Sequence, residues 1–360
     1  MSGLLDRAMR SEYDSYDFER LLHGIEEFEA YVSARDSVQM VDDFRPVLSA
    51  FTEVAPRYER IADSSLLREA RQNILSAIHR TVGGRSDDPL DADPNARPQL
   101  ERLFSALAMR YRLVVINFNY DDLIDRLSVA WSDGFTDKRS DGSALFSPDD
   151  WYAESCDASK NLLIHMHGSV RFGSSRGEVR TPPFSQPAKY PNFVAASESL
   201  ELTGMSDTVV DGRILTAGAI ISGLNKGSKI IYNARPYGHY YRTVMDLVPR
   251  SERFLVLGYG WRDPHVNMWI EESIALRRPQ SAVVTYLPGA DVGDDTPQNR
   301  YIQKLAGQET WSRIKNSAYA PMSPEDDVAP YKIDGHIAVF PQGFVLDNDA
   351  EAALLSFFSV

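Results

Sequence analysis

Short β-branched apolar runs alternate with helical patterns through the chain after residue 111, and this alternation constrains the fold more than any other feature. The runs are RLVVINF (112–118), NLLIHMH (161–167), SKIIY (228–232), RFLVLGY (253–259), SAVVTYL (281–287) and HIAVF (336–340). Runs of this kind are typical of buried strands. Helical patterns lie between them at 120–131, 238–248, 264–278 and 301–315. The sequence therefore predicts an α/β fold with a doubly wound, mostly parallel Rossmann-like sheet.

Residues 14–110 read differently, because apolar residues recur there at helical spacing. The segments DFERLLHGIEEFEAYV (17–32) and PQLERLFSALAMRY (98–111) are examples. We expect a helical segment over 1–110 packed on a Rossmann-type domain over 111–360, the two forming one compact unit. Long polar connections at 132–160 and 173–212 predict loop insertions.

Composition excludes several classes of function. The formal net charge of −13 disfavours direct binding to nucleic acid. No apolar run reaches the roughly 20 residues of a membrane span, and the acidic N-terminal sequence does not look like a targeting peptide. We therefore expect a cytoplasmic protein without a membrane partner. The single cysteine, Cys156, excludes an internal disulfide and a zinc site built from several thiolates.

Polar residues follow three of the predicted strands. Ligands of open parallel sheets bind beyond the carboxyl ends of the strands, so these residues are expected to converge on one crevice. Each also has a purely structural reading: Asn119 and Asp121 as helix caps, and Asp263 before Pro264 as an N-cap. The sets are Phe118-Asn119-Tyr120-Asp121, His167-Gly168-Ser169, and Gly258-Tyr259-Gly260 with Asp263 and His265.

Two of these residue types suit chemistry on a nucleotide. The Asn119 amide can both donate and accept hydrogen bonds, which suits a water or a ribose hydroxyl. The unperturbed pKa of a histidine lies near neutrality, so His167 can act as a general base. His165 is a rival base, because it lies two residues earlier and points to the same side of a regular strand.

The ordered set of motifs resembles the sirtuin-like domain family, in particular its bacterial NAD+-hydrolysing branch in anti-phage defence. Residues 118–121 resemble that branch's Thr-Asn-Tyr-Asp motif, and residues 167–169 its His-Gly-Ser motif. Residues 222–226 are similar to an Asn-Lys segment common in the branch. Residues 258–267 resemble a Gly-Tyr-Ser/Gly-Phe-x-Asp-x-His-Ile-Asn motif. The resemblance covers about 112–290.

The resemblance implies an NAD+ glycohydrolase that cleaves the bond between nicotinamide and ribose. It implies Asn119 and His167 as catalytic residues and NAD+ as substrate, with no metal or other cofactor. The implied cofactor-binding residues are Phe118, Tyr120, Asp121, Gly168, Ser169, Gly258, Tyr259, Gly260, Asp263 and His265.

The sequence departs from the family at two places. The missing four-cysteine zinc module disfavours protein deacetylation and agrees with the hydrolase branch. The Gly-Ala-Gly-x-Ser loop, which cradles the pyrophosphate in relatives, is not found before DFERLLHGIEEF. Three explanations stay open: a start farther upstream, a degenerate element, or phosphate binding by other means.

The resemblance also implies regulation, because unregulated NAD+ loss is toxic. A homo-oligomer is expected, and a ring-shaped HerA-type ATPase or another defence protein is a candidate partner by family likeness. The alternative function is a non-catalytic scaffold or sensor that binds NAD+ or an ADP-ribose derivative. The missing glycine loop is the feature that favours it.

Overall fold

The computed structural model describes the larger part of the chain after residue 95 and a few residues before it. The described residues are Leu22, 24–26, Ile74, Val82, 96–138, 144–175, 178–181, 206–210, 213–217, 220–222, 226–232, 234–284, 297–306, Ser312, 332–334, 336–340 and 348–359.

Helices and strands alternate along these residues. The helices are α1 (Ala96–Arg110), α2 (Pro148–Cys156), α3 (Lys226–Tyr232), α4 (His239–Leu247), α5 (Pro264–Arg277), α6 (Pro297–Ala306) and α7 (Asn348–Phe357). The strands are β1 (Val114–Asn117), β2 (Trp131–Ser132), β3 (Asp137–Lys138), β4 (Ala144–Leu145), β5 (Asn161–His165), β6 (Gly173–Ser175), β7 (Glu178–Thr181), β8 (Ser206–Val210), β9 (Arg213–Ala217), β10 (Arg253–Leu257), β11 (Gln280–Val284), β12 (Lys332–Asp334) and β13 (Ile337–Phe340).

Two sheets form the core, and their strands are mostly parallel. One has the order β1-β5-β2, with all pairs parallel. The other has the order β10-β11-β13-β12, in which only β12 runs antiparallel. Among the described residues, the other antiparallel pairs are those of β3-β4-β7-β6, the β8-β9 hairpin and an isolated bridge between Gly168 and Ile220. These smaller sheets occupy the long connections predicted from the sequence, and the predicted Rossmann-like α/β class is confirmed.

Strands β1 and β10, one from each core sheet, pack on the same hydrophobic clusters. Val114 and Phe254 pack on a cluster that includes Ile164 and Val244. Residues 115 and 255 pack on a second cluster on α1 and α7. Consecutive strand residues point to opposite faces, so both faces of this layer are covered. Buried faces on both sides explain why these strands read as continuous apolar runs.

Two sequence predictions about individual elements are wrong. SKIIY (228–232) was predicted as a strand but lies in α3, where Ile230 is fully buried and Ile231 is 53% exposed. YDDLIDRLSVAW (120–131) was predicted as a helix but forms one 3-10 turn over Ile124–Arg126 and then enters β2. The Trp131 indole donates to the Ile124 carbonyl, which a continuing helix would have used.

Several described residues of the helical segment predicted over 1–110 contact the α/β core. Leu22 and Ile74 are buried in one cluster with Tyr120 and Val170. At the end of the segment, α1 packs on α7. The division at residue 110 stays a prediction, and most of residues 1–95 lie outside the described residues.

Over the described residues, no helix combines the length and apolarity needed to cross a membrane.

Candidate functional site

The first segment of the site is a tight turn that follows β1. The Asn117 side chain is buried. Its oxygen accepts a hydrogen bond from the backbone N–H of Asn119 at 2.9 Å, and its amide nitrogen donates to the backbone carbonyl of Asp121 at 3.3 Å. The Asp121 carboxylate in turn accepts from the backbone amide of Leu123 at 3.1 Å. These bonds fix the backbone of the turn, and they leave the Asn119 residue exposed to solvent.

The second segment follows β5 and carries His167. Its backbone is held by a hydrogen bond from the Ile221 amide to the His167 carbonyl at 2.8 Å. Gly168 follows with a φ of 90°, a conformation that favours glycine. His167 is only 2% exposed. One of its ring nitrogens donates to the backbone carbonyl of Phe118, while Nε2 is buried without a hydrogen-bond partner. The bonded nitrogen is therefore Nδ1, and Nε2 carries a lone pair.

The third segment joins β10 to α5. Gly258 has a φ of 59° and Trp261 a φ of 56°, so the chain turns sharply at both residues. Asn267, in the first turn of α5, holds the loop in place through its side chain. Its amide donates to the Trp261 carbonyl at 2.9 Å, and its oxygen accepts from the Tyr259 hydroxyl at 2.8 Å. A buried amide that satisfies both ends of the loop explains why such a strained turn persists.

Aromatic rings from the three segments meet. Phe118 stacks on Tyr259 with ring centroids 4.5 Å apart, and its edge contacts His167 at 5.5 Å. The ring centroids of His167 and His265 are 5.7 Å apart. The predicted convergence of the three strand ends is confirmed for these four residues.

A carboxylate and an ammonium group complete this cluster. Nε2 of His167 lies 3.3 Å from Oδ1 of Asp263, and Nζ of Lys226 lies 3.7 Å from the same oxygen. Asp263 occupies the N-cap position of α5, before Pro264, but its side chain does not cap the helix. The backbone position of Asp263 is the one expected of an N-cap residue, but its carboxylate lies beside His167 and Lys226.

Burial and charge keep both histidines of the site neutral. Burial, the positive charge of Lys226 and the neighbouring His265 hold the pKa of His167 well below 6.5. Burial and Lys226 lower the pKa of His265 to about 4. At neutral pH, His167 therefore offers an unprotonated Nε2 in a buried position.

The remaining sequence-predicted residues lie around this cluster in different ways. Tyr120 is buried in the apolar cluster with Leu22, and its hydroxyl lies 3.4 Å from the Ile221 carbonyl. Ser169 is fully buried and accepts a hydrogen bond from the Arg171 amide at 3.2 Å. Gly260 leaves space for close approach, since a Cβ there would meet only the Arg262 side chain at 4.0 Å. Burial raises the pKa of Asp121.

His165, the rival base, belongs to a separate buried group. Its Nε2 lies 3.0 and 3.2 Å from the two carboxylate oxygens of Asp125. Arg171 also pairs with Asp125, and all three side chains are at most 3% exposed. This ion-paired group packs His165 against Phe172 rather than against the rings of the site. His165 therefore lies apart from the ring cluster that contains His167.

Three residues of the site carried no assigned role in the sequence analysis: Asn117, Lys226 and Asn267. Lys226 and Asn267 both lie within motifs that had been noted, so their signal was present. Asn117 reads as the last residue of a strand, and its side-chain bonds become evident only when the turn is known. Gly223, Leu224 and Asn225 of the Asn-Lys segment lie outside the described residues.

The protein has a Rossmann-like α/β fold, and side chains from three strand ends lie together at one place in it. The family model for the SIR2-like domain matches residues 113–308, more than half of the chain. The chain therefore belongs to the SIR2-like domain family, whose members often are NAD+-dependent enzymes. No similar sequence was found among the curated proteins.

Proposed function

We propose that the protein is an NAD+ glycohydrolase of the anti-phage-defence branch of its family and acts by depleting NAD+. The observation that carries this proposal is the neutral, buried His167, whose Nδ1 is held by the Phe118 carbonyl and whose Nε2 faces the junction of the three strand ends. A histidine fixed in one tautomer with a free lone pair is suited to accept a proton.

The reaction needs no general acid to protonate the leaving group. Nicotinamide leaves NAD+ as a neutral molecule, and the ribose passes through an oxocarbenium-like state, so the leaving group needs no proton. Water then adds to the sugar carbon, and one proton is released in forming ADP-ribose. His167 accepts that proton from water or from a ribose hydroxyl, and burial of the site restricts competing water.

The other residues of the site would bind and orient the dinucleotide. Asn119 is exposed at the mouth of the turn, where its amide can reach a ribose hydroxyl or water. Asp121 would accept a hydrogen bond from the nicotinamide carboxamide. The stacked pair Phe118 and Tyr259 offers an aromatic surface, and Gly258 and Gly260 allow close approach of the backbone.

The test is nicotinamide release from NAD+ by the purified protein, followed by chromatography. We expect His167→Ala to lower the rate by about 100-fold or more, since a positioned base contributes about that much. Asn119→Ala is expected to abolish turnover as well. His336→Ala, an exposed histidine at the start of β13, is the matched control. Full hydrolysis by both site variants would remove the assignment.

A second candidate is a non-catalytic sensor that binds NAD+ or an ADP-ribose derivative. No Gly-Ala-Gly-x-Ser loop is recognised in residues 1–360, and this is the feature that favours it. A sensor would show NAD+-dependent thermal stabilisation without nicotinamide release. Release of nicotinamide that requires His167 would exclude it.

The proposal includes regulation of a cytoplasmic enzyme. A homo-oligomer and a HerA-type ATPase or another defence partner are its expected assemblies, and NAD+ is its expected substrate without a resident metal or other cofactor. Mass measurement in solution and co-purification from cells under phage challenge test these parts.

A further inference from the structure

His167, Asp263 and His265 form a cluster of side chains that could bind a metal ion as well as transfer a proton. One donor atom from each residue lies within 4.8 Å of the other two. Two histidines and one carboxylate are a donor set that Zn²⁺ and similar transition-metal ions accept. The three residues come from two segments, the turn after β5 and the start of α5, which the fold holds together.

The nitrogen atoms of both imidazoles support a metal ligand role. Nε2 of His167 and Nε2 of His265 are both buried without a hydrogen-bond partner. Buried polar atoms normally have partners, so two such nitrogens in one cluster call for an explanation. His167 also shows the arrangement that metal-binding histidines usually have, with the other ring nitrogen donating to a backbone carbonyl.

The distance between His167 and Asp263 also fits a shared cation. With Nδ1 protonated, Nε2 of His167 and Oδ1 of Asp263 turn lone pairs towards each other at 3.3 Å. Two atoms bound to one tetrahedral Zn²⁺ at about 2.1 Å each are roughly 3.4 Å apart. His265 offers a third donor atom within 4.8 Å of the other two.

We propose that a divalent transition-metal ion such as Zn²⁺ binds His167, Asp263 and His265 and thereby inhibits the protein. Bound metal occupies the lone pair on Nε2 of His167, so that this nitrogen can no longer accept a proton. The inhibitory consequence rests on the proposed NAD+ cleavage, whereas the metal site does not. The sequence predicted no metal because it lacks clustered cysteines, and this site needs none.

The positive charge of Lys226 weakens metal binding at this cluster. Its ammonium group lies 3.7 Å from Oδ1 of Asp263 and competes with a second cation for that carboxylate. The Lys226 side chain is 18% exposed, so its flexible stem can carry the charge towards solvent when metal binds. Removing this charge is therefore expected to strengthen metal binding rather than weaken it.

The experiment is titration of the metal-stripped full chain with Zn²⁺ by calorimetry and with Co²⁺ by visible absorption. We expect one ion per chain and a Co²⁺ spectrum typical of low coordination number. His265→Ala and Asp263→Asn should each weaken binding at least about 10-fold, the lower end of losses seen at metal sites. Lys226→Met should tighten it, and the exposed control His336→Ala should leave it unchanged.

The outcomes separate the two proposals. Absence of saturable binding, or equal binding by wild type and His265→Ala, overturns the metal site. If metal binds but NAD+ cleavage continues at its full rate and is unaffected by a chelator, the inhibitory role is overturned. A wild-type protein that binds metal yet never cleaves NAD+ leaves the metal site standing and contradicts the proposed function instead.

Discussion

At the residue scale, the charge beside His167 has a consequence for the pH dependence of activity. Burial, Lys226 and His265 all lower the pKa of His167, and the base works only when unprotonated. We therefore expect kcat/KM to stay level as the pH falls through 6.5 and to drop only at lower pH. Lys226→Met removes one lowering influence and should move that drop to higher pH.

The control for this pH profile is Lys160→Met, which removes an exposed lysine away from the site. Its profile should overlay that of the wild type. An acid limb that stays in place in Lys226→Met would show that this ammonium does not act on the base.

A second residue-scale prediction concerns the buried ion-paired group of Asp125, His165 and Arg171. Burial alone would raise the pKa of Asp125, but His165 and Arg171 outweigh it and lower the pKa to about 2. Its stabilising contribution is therefore present above the unfolded pKa near 3.8 and is lost as the pH falls towards 2. Asp125→Asn removes the carboxylate that pairs with Arg171 and His165 in this buried group, so we expect a loss of about 3–5 kcal/mol in the free energy of unfolding.

Urea unfolding at neutral pH measures this loss. The matched control is Asp246→Asn, which breaks an exposed ion pair with Arg250 at 2.7 Å and should cost less than about 1 kcal/mol. Equal effects of the two substitutions would mean that the buried group is no more important than a surface pair.

Individual site residues could be predicted where they directly follow an apolar run. His167, Asp263 and His265 were found in this way, because strand ends meet at one edge of a parallel sheet. The partners of Asp125 could not be found, since Arg171 lies 46 positions away and the pairing depends on packing. The side chain of Tyr120 illustrates the same limit: its motif predicted a ligand contact, and the structure places it among apolar residues.

At the scale of elements, prediction worked best for strands buried on both faces. β1, β5, β10, β11 and β13 all lie within predicted runs or begin one residue before them. The two isoleucines of α3 gave a strand-like pattern, but Ile230 is buried while Ile231 is 53% exposed, as on the two sides of a helix. The 3-10 turn at 124–126 was missed because Trp131 and its pairing with β5 override a helical pattern.

The loop between β10 and α5 gives a prediction at this scale. Asn267 holds it at both Tyr259 and Trp261, so Asn267→Ala should loosen the stacked surface offered to the nucleotide. We expect a raised KM for NAD+ together with a loss of about 1–3 kcal/mol in stability, since buried backbone and hydroxyl groups lose a partner. Steady-state kinetics and urea unfolding separate the two effects.

Asn161→Ala is the control for that variant. It removes one hydrogen bond, 2.9 Å long, from the Leu113 amide at the opposite end of β5. A comparable loss of stability without a change in KM is expected there. If both variants raise KM alike, the effect reports general loosening and not the loop.

At the scale of the whole molecule, the N-terminal segment and the α/β core are expected to unfold as one unit. Leu22 is 1% exposed and packs with Ile74 against Tyr120 and Val170, which belong to two of the three segments that carry the site. Lys229, on α3, is buried and pairs with Glu26 at 2.5 Å. Leu22→Ala should therefore lower the stability of the entire chain by about 2–5 kcal/mol.

Calorimetry distinguishes this arrangement from two independent domains. A single transition, with equal calorimetric and van't Hoff enthalpies, should shift as a whole in Leu22→Ala. Met109 lies on α1 and is 85% exposed, so Met109→Ala should leave the transition temperature unchanged. Two transitions, of which Leu22→Ala moves only one, would show that residues 1–110 fold separately. The contacts of Leu22 and Glu26 would then be a docking surface between two domains, and the site-bearing turns would depend on that docking instead of on one continuous core.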